Sequence, residues 1–278
     1  MLSYQHRYHA GNFADVHKHL ILTVVLESLT RKPSPLAVID THAGEGLYDL
    51  MSEEAAKIQE FRDGIEKLLP GHAPPEIVQI YLDCVRAENP DGGLRQYPGS
   101  PRLAERLTRP GDEIILAELH PQALTALRRT FRRSDRVHIH KRDGFEALAA
   151  LVPPKQKRGI VLIDPAYEEK ADYERAVQAI ERAWRRWPAG GYLLWYPLLP
   201  AGKHEDLLSA LKQSGIAKIL RSEWHHRPAG AGRGLYGSGM ALVNPPWKTD
   251  EAIRSITDWF LEIDFGVGPA VLDWLAGE

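Results

Sequence analysis

Short aliphatic runs alternate along the chain with segments whose apolar residues recur at helical spacing. The aliphatic runs predict strands at Leu36–Asp40, Glu113–Glu118, Val137–Lys141, Gly159–Asp164, Gly191–Tyr196, Ala217–His225 and Gly239–Asn244. The segments "HPQALTALRRTF", "GFEALAALV", "DYERAVQAIERAWRRW" and "KHEDLLSALKQSG" predict the helices between them. Such alternation is typical of βαβ units that build a largely parallel sheet.

The connection between the last two predicted strands differs from the others. It reads "HRPAGAGRGLYGS" and has no helical pattern, so we expect these two strands to form an antiparallel hairpin. Five parallel strands followed by such a hairpin indicate an α/β fold with a methyltransferase-type, Rossmann-like sheet. A dehydrogenase-type sheet would give a similar pattern.

Residues 51–93 interrupt the alternation. The stretches "SEEAAKIQEFRDGIEKLL" and "PPEIVQIYLDCVRAEN" predict helices, and we interpret them as a helical insertion subdomain after the first βα turn. The Rossmann-like domain then comprises residues 1–50 and 94–278. Near the start of the chain, "GNFADVHKHLILTVVLESL" predicts a helix that begins between Asn12 and Asp15.

The composition limits the possible partners. The 278 residues have a formal net charge of -2 and a sequence pI of about 6.6, so any contact with a nucleic acid must be local. Cys84 is the only cysteine, which excludes an intramolecular disulfide and multi-cysteine metal sites. No stretch reaches the ~18 consecutive apolar residues of a membrane-spanning helix. We expect a cytoplasmic protein without membrane contact.

Glycine and acidic residues follow several predicted strands. In "LAVIDTHAGEGLYDL", Gly44 and Gly46 after Asp40 would let a ligand approach the backbone, although an ordinary turn is the alternative. Glu118 ends the next strand, where an acid can accept hydrogen bonds from ribose hydroxyls or cap a helix. Asp143 and Gly144 follow the third strand, where Asp143 either binds an adenine amino group or caps the helix.

Two proline turns compete for the chemistry. In "LIDPAYE", Asp164 and the carbonyl of Pro165 are acceptors for an amino group, and Tyr167 offers a ring for stacking on an unstacked base. "NPPW", from Asn244 to Trp247, fits the pattern [DNS]-P-P-[YFW] better. Position favours Asp164, because its strand follows the Asp143 turn and should end beside the same crevice. We therefore interpret "NPPW" as a rigid exit from the sheet.

The first twenty residues contain four histidines, His6, His9, His17 and His19. They lack an arrangement such as H-E-x-x-H, so we expect no metal site. Lys18 and His19 near the first turns of the predicted helix can bind a carboxylate or phosphate.

Together these residues resemble a known family, the bacterial 23S ribosomal RNA adenine-N6 methyltransferases of the RlmJ type. The resemblance covers essentially the whole chain and rests on "MLSYQHRYHAGNFADVHKH", "DTHAGEGLY", "YPGSPRLAERL", "ELHP", "LIDPAYE", "LWYP" and "SGMALVNPPWK". It implies a class I fold with a small helical insertion, S-adenosylmethionine as cofactor, S-adenosylhomocysteine as product, and direct methyl transfer to one flipped-out adenine.

The resemblance also assigns roles to residues of this chain. The positions that correspond to cofactor-binding ones are His19, His42, Ser100, Glu118, Asp143, Gly144 and Asp164. Asp164 also corresponds to the catalytic residue, Lys18 is expected at the methionine end, and Tyr4 corresponds to a residue on the RNA side. The implied substrate is 23S rRNA, naked or early in ribosome assembly, and the protein is expected to be a monomer.

One residue departs from the family pattern. Ala166 stands where this family normally has a second proline, which affects the rigidity of the turn and the orientation of Tyr167. Two alternatives therefore stay open: a DNA adenine-N6 methyltransferase, and a non-catalytic protein that binds S-adenosylmethionine or RNA.

Basic residues for RNA occur in three places. "RRTFRRSDR", which starts at Arg128, and "RRW", which starts at Arg185, can be solvated helix faces. We favour Arg227 and Arg233 on the glycine-rich connection, because a loop adapts to an irregular RNA and arginine binds phosphate.

Overall fold

The computed structural model describes residues 4–69, 73–228 and 234–277. The helices are α1 (Phe13–Thr30), α2 (Glu53–Ile58), α3 (Glu76–Arg86), α4 (Ser100–Leu107), α5 (Pro121–Thr130), α6 (Gly144–Leu151), α7 (Ala171–Arg186), α8 (Lys203–Gln213) and α9 (Thr249–Glu262). The strands are β1 (Ala37–Asp40), β2 (Leu47–Asp49), β3 (Gln96–Pro98), β4 (Glu113–Ala117), β5 (Val137–His140), β6 (Gly159–Ile163), β7 (Gly191–Leu198), β8 (Ile219–His225), β9 (Gly237–Val243) and β10 (Ala270–Ala276). Short 3-10 helices occupy His6–Tyr8, Glu60–Asp63 and Ile65–Leu68.

Eight of the strands form one sheet in the order β10-β8-β9-β7-β6-β1-β4-β5. Strands β5, β4, β1, β6 and β7 run parallel, as predicted. Strand β9 lies between β7 and β8 and is antiparallel to both, so the predicted hairpin pairing is confirmed. Both faces of the parallel part carry helices, which matches the almost fully buried β1 and β6.

One prediction about the strands was wrong, and three strands were not predicted: β2, β3 and β10. The hairpin is not terminal, because β10 follows it and pairs antiparallel with β8. The sequence "AVLDWLA" has little alternation, since this edge strand is half exposed along its length and its residues need not follow a buried pattern. Strands β2 and β3 flank residues 51–93 and form a small antiparallel ribbon. This ribbon was not predicted, because three residues per strand are too few to show an alternating pattern.

Helix α1 is the most buried helix next to the candidate site. Fourteen of its eighteen residues are buried, and the side chain of Asn12 accepts a hydrogen bond from the Asp15 backbone, which fixes the predicted start of the helix. The buried set includes the polar residues Asp15, His17, Lys18 and His19. Because buried polar groups need partners, α1 carries side chains that must bond to the sheet and its loops.

The segment 51–93 is helical, as predicted, and contains α2, α3 and two of the 3-10 helices. Its apolar side chains, among them Phe61, Ile65 and Tyr81, belong to the same core cluster as Leu20 and Val24 of α1. Its division from the rest of the chain as a subdomain stays a prediction. Within the described ranges, no helix is both long and apolar enough to cross a membrane.

Candidate active site

A cavity of about 680 Å³ opens at the carboxyl ends of β1, β4, β5 and β6, beside the first turns of α1. Open α/β sheets bind their ligands at this edge. Twelve residues to which the sequence gave a role in binding or catalysis line this cavity: Tyr4, Lys18, His19, His42, Gly44, Ser100, Glu118, Asp143, Gly144, Asp164, Pro165 and Tyr167. Arg227 borders a separate, smaller cavity, and Arg233 lies outside the described residues.

The glycine turn after β1 is tied to Glu118. Gly44 has a φ of +62°, and its backbone N–H donates to Oε2 of Glu118 at 2.8 Å. The other carboxylate oxygen accepts from the His120 backbone at 2.7 Å. Each carboxylate oxygen can accept a further hydrogen bond. Burial raises the pKa of Glu118, which the two backbone donors partly offset.

Asp143 caps helix α6, which is one of the two roles that the sequence left open. Its Oδ1 accepts from the backbone of Phe145 at 3.0 Å and of Glu146 at 3.1 Å. Its Oδ2 lies 3.1 Å from the guanidinium of Arg175, which also packs 4.6 Å from the centre of the Phe145 ring. Asp143 therefore borders the cavity with one oxygen committed to the helix and the other to an arginine.

Gly144 is required by a close approach of two chain segments. A Cβ atom added there would lie 2.2 Å from the Thr41 carbonyl oxygen and 2.7 Å from Nε2 of His42. No other residue fits without moving the backbone. Burial lowers the pKa of His42 to about 4, so its ring is neutral at pH 7 and borders the cavity as an uncharged group.

Ser100 holds a buried acid behind the cavity wall. Its Oγ donates to Oδ2 of Asp40 at 2.6 Å, and the His42 backbone donates to Oδ1 at 3.1 Å. Burial raises the pKa of Asp40 to about 7, although the hydrogen bond from Ser100 opposes the shift. Asp40 itself does not line the cavity, so its contribution is to fix the Ser100 side chain and the turn after β1.

Lys18 joins two acidic residues at the centre of the site. Its Nζ lies 2.5 Å from Oδ2 of Asp164 and 2.9 Å from Oδ1 of Asp15. Burial alone would lower the pKa of Lys18, but the two carboxylates raise it well above its usual value. For Asp15, burial alone would raise the pKa, but His6 and Lys18 hold it well below its usual range. The buried ammonium is therefore charged and matched by two carboxylates.

A chain of hydrogen bonds leads from this centre to the cavity mouth. The other oxygen of Asp15 is 2.9 Å from Nε2 of His6, and Nδ1 of His6 is 2.9 Å from the hydroxyl of Tyr4. The ring of Tyr4 stacks on that of His9 at 5.6 Å. The N-terminal segment is thus connected through Asp15 and Lys18 to Asp164.

Tyr167 lines the cavity with little of its surface. The side chain is only 9% exposed, its ring centre is 4.4 Å from that of Tyr173, and its hydroxyl donates to the Trp195 carbonyl at 2.7 Å. Its φ is +51°, an uncommon value for a residue with a side chain. The turn is held by packing, and stacking of Tyr167 on a base stays a prediction.

The competing turn lies at the other end of the sheet. Asn244 follows β9, whose last residue pairs with Tyr192 near the start of β7. Its amide donates to the carbonyls of Pro188 at 2.7 Å and Gly190 at 3.0 Å, and Trp247 is 86% exposed. None of these residues lines the cavity. Asn244 bonds to the chain that enters β7, as expected for a rigid exit from the sheet.

The N-terminal histidines have protein partners. Nδ1 of His19 is 2.7 Å from the Tyr97 hydroxyl, and the ring of His17 lies between the hydroxyls of Ser238 and Ser222, each at 3.0 Å. Burial lowers the pKa of both histidines to about 3. In the part of the chain that is described, no three His, Cys, Asp or Glu side chains are grouped to hold a metal ion.

The sequence missed four residues of this site. Asp15 had a detectable signal, because it stands three residues before Lys18 on the same helix face. His6 was visible only as one of the four N-terminal histidines. Trp195 lines the cavity from β7, past the end of β6, and its Nε1 donates to Ser238 at 3.0 Å. Arg175 sits on α7, where nothing in the local pattern distinguishes it from a solvated residue.

Comparison with known proteins now decides the family. The chain matches the family described as "Ribosomal RNA large subunit methyltransferase D, RlmJ" over residues 33–276. It belongs to this family. It is 39% identical over 280 residues to the "Ribosomal RNA large subunit methyltransferase J" of Escherichia coli (strain K12), with 100% of both chains covered. The protein of that name from Haemophilus influenzae is 38% identical over 281 residues, again with 100% of both chains covered.

A solved structure agrees with this assignment. The crystal structure of a Legionella pneumophila (strain Philadelphia 1) protein is 33% identical and has a TM-score of 0.88, covering 96% of this chain and 98% of that one. The sheet order and the position of the cavity are those of a class I methyltransferase. The fold class and the family predicted from the sequence are confirmed.

The residues present fit S-adenosylmethionine. Glu118 has open acceptor positions for ribose hydroxyls, and Gly44 lines the cavity in a tight turn where a Cβ atom would lie 2.2 Å from the Tyr48 hydroxyl. The missing Cβ of Gly144 brings Thr41 and His42 close to α6 and shapes the wall between them. Polar and charged groups from α1 line the other end of the cavity.

Proposed function

We propose that this protein transfers a methyl group from S-adenosylmethionine to the N6 atom of a single adenine in 23S ribosomal RNA. The observation that carries the proposal is the position of Asp164. Asp164 directly follows β6 and lines a cavity that the glycine turn and Glu118 also line, and its carboxylate is paired with a buried lysine. Membership of the RlmJ family supports the same substrate class.

Nine residues would hold the cofactor: Lys18, His19, His42, Gly44, Ser100, Glu118, Asp143, Gly144 and Asp164. Glu118 would accept hydrogen bonds from the ribose, and Asp143 would border the adenine with its helix-capping carboxylate. Lys18 and His19 would face the methionine end from α1. When bound, S-adenosylmethionine supplies an activated methyl group. The proposal requires no metal.

The catalytic residues are Asp164, Pro165 and Tyr167. The target adenine must leave its stack to enter the cavity. The Asp164 carboxylate and the Pro165 carbonyl then accept the two N–H groups of N6, which orients the nitrogen lone pair. Lys18 keeps Oδ2 of Asp164 in one place, so Oδ1 is left to face the base. As N6 loses its proton late in the reaction, Asp164 or water takes it.

The RNA side includes Tyr4, whose hydroxyl is bonded to His6 at the cavity mouth. Arg227 and Arg233 stay predicted RNA contacts. Arg227 lies shortly after the end of β8, and Arg233 lies outside the described residues. We also propose that the substrate is naked or early in assembly and that the protein acts as a cytoplasmic monomer.

A methyl-transfer assay tests the proposal. The purified protein is incubated with labelled S-adenosylmethionine and either deproteinised 23S RNA or DNA, and the product nucleoside is identified. Label in N6-methyladenosine of RNA alone is the expected result. Label in DNA would favour the DNA methyltransferase that the sequence left open. Cofactor binding without any transfer would favour the non-catalytic alternative and contradict the proposal.

A further inference from the structure

The segment from Arg128 to Arg142 is strongly basic although the whole chain has a net charge of -2. Its fifteen residues, "RRTFRRSDRVHIHKR", include seven arginine and lysine residues and one acid, Asp135. The segment comprises the end of α5, the following turn and strand β5. Such local segregation of charge in an otherwise balanced protein points to an anionic partner.

One of the seven basic residues has a structural role. Arg136 donates to Thr108 Oγ1 at 2.6 Å and to the carbonyl of Arg109 at 3.2 Å, and it also bonds to the carbonyl of Glu105. It therefore ties the start of β5 to the end of α4. The basic residues of the segment therefore differ in their roles, because both terminal nitrogens of Arg136 are bonded within the protein.

The other six form what we call the basic face: Arg128, Arg129, Arg132, Arg133, Lys141 and Arg142. All six are exposed, and within the described parts of the chain their side chains form no ion pair or hydrogen bond. Elsewhere in the fold, exposed arginines such as Arg86 and Arg185 do pair with an acid on their own helix. In the described chain, none of the six is paired with Asp135, the one acid of the segment, or with any other carboxylate.

The basic face adjoins the cavity at two points. Thr130 donates to the carbonyl of Glu45 at 3.1 Å, and Gly46 packs closely against the ring of Phe131; Glu45 lines the cavity. At the other end of the segment, Arg142 directly precedes Asp143, which also lines the cavity. Strand β5 is the edge of the sheet, so no further strand of the described structure covers this side.

We propose that the basic face binds phosphates of the ribosomal RNA that flank the target adenine. This inference rests on the proposed function and adds to it the surface that holds the substrate. Arginine donors match phosphate oxygens, and several unpaired cations on a segment that is bonded to the cavity wall would hold a large polyanion while one base enters the cavity. The contacts are to the backbone, so they hold the RNA without reading its sequence.

The end of helix α7 resembles the end of α5 in charge. Arg182 and Arg186 are exposed on the last turns of α7, so they offer similar charge on a similar element. Helices α5 and α7 both end near the amino end of the strand that follows them, but in the described chain only the end of α5 is hydrogen-bonded to a residue that lines the cavity, through Thr130 and Glu45. Arg182 and Arg186 therefore provide a matched control for charge without that bond to the cavity wall.

The test uses the full chain and deproteinised 23S RNA. A variant with Arg128→Gln, Arg129→Gln, Arg132→Gln and Arg133→Gln is compared with the wild type, and Arg132→Glu/Arg133→Glu is compared with the matched control Arg182→Glu/Arg186→Glu. RNA affinity is measured across about 0.05 to 0.2 M salt, together with kcat, the KM for RNA, cofactor affinity and the melting curve.

We expect the quadruple variant to bind RNA at least about tenfold more weakly at low salt and to reduce the slope of log K against log salt by about 3. KM for RNA should rise by a similar factor, while kcat at saturating RNA, cofactor affinity and the melting curve stay unchanged. Arg132→Glu/Arg133→Glu should weaken binding far more than Arg182→Glu/Arg186→Glu.

Equal affinity and salt slope in the quadruple variant and the wild type would overturn the proposal, as would equal losses in the two double variants. Absence of RNA binding by the wild type would overturn it too. A wild type that binds RNA through the basic face but methylates none would instead contradict the proposed function, so the two failures are distinguishable.

Discussion

The ammonium of Lys18 lies 2.5 Å from the carboxylate of Asp164, although the two residues are 146 positions apart in the chain. The same ammonium is 2.9 Å from Asp15, and both Lys18 and Asp15 are buried. Removing one member of a buried ionic group leaves its partners without compensation, which costs far more than a surface pair would. The carboxylate that we assign to catalysis is thus held by a side chain of α1.

Lys18→Met should therefore affect both stability and activity. We expect unfolding to require about 3 kcal/mol less free energy, because Asp15 is left as a buried charge without its ammonium. Methylation of 23S RNA should fall at least about a hundredfold, because Asp164 loses the contact that orients it. Chemical denaturation and single-turnover kinetics measure the two effects. Lys18→Arg keeps the charge and is the control, and full activity in Lys18→Met would contradict the assigned role.

Asp164→Ala and Asn244→Ala separate the two proline turns. Asp164→Ala should reduce kcat by about 10²- to 10⁴-fold. It should also lower stability, but by less than Lys18→Met, because the buried ammonium of Lys18 loses one carboxylate and keeps Asp15. Asn244→Ala should retain kcat but lose about 1 to 2 kcal/mol of stability, because the Pro188 and Gly190 carbonyls lose their amide donor and alanine disfavours a φ of +50°. Rates and denaturation curves are measured for both. Wild-type methyl transfer by Asp164→Ala, together with loss of methyl transfer in Asn244→Ala, would show that the catalytic turn is "NPPW" and not the turn at Asp164.

Ala166→Pro should leave activity equal or higher. Ala166 is exposed, and its backbone N–H donates no hydrogen bond within the described chain, so proline removes no contact there. Where the backbone is compatible, proline stabilises a protein by about 0.4 to 1 kcal/mol by restricting the unfolded chain. The melting curve and kcat are the measurements. A large loss of activity would show that this turn is built differently from its relatives.

His17→Gln should change how stability depends on pH. Burial lowers the pKa of His17 to about 3, below its ordinary 6.5, so its contribution to stability is complete above pH 6.5 and is lost as the pH falls toward 3. The advantage of the wild type over the variant should therefore shrink by about 3 kcal/mol between pH 7 and pH 4. Urea unfolding of both proteins at several pH values gives this difference. A difference that is constant over that range would contradict a buried, neutral His17.

Much of the fold followed from the order of residues alone. The apolar runs before Asp40, Glu118 and Asp164 predicted β1, β4 and β6, because a strand buried on both faces must be almost uniformly aliphatic. Strand β10 escaped prediction, since a half-exposed edge strand is under no such constraint. The expectation that the hairpin would be the last part of the sheet was wrong for the same reason, because β10 follows it.

The candidate site divides in a similar way. Residues at strand ends, such as Gly44, Glu118 and Asp164, were predictable because parallel strands bring their carboxyl ends to one edge. The ion pairs of Lys18 and Asp143 were not, because side-chain partners depend on which helices lie over that edge.

The sequence by itself determined the family, the parallel sheet and the turn that carries Asp164, since these depend on local patterns and ordered motifs. Only the tertiary structure decided that "NPPW" lies at the far end of the sheet and that Tyr167 is largely buried. It also decided that the basic segment at the end of α5 and in the turn after it contacts Glu45 of the cavity wall, which the overall charge could not indicate. Those outcomes depend on contacts between residues far apart in the chain, which no local pattern of polarity specifies.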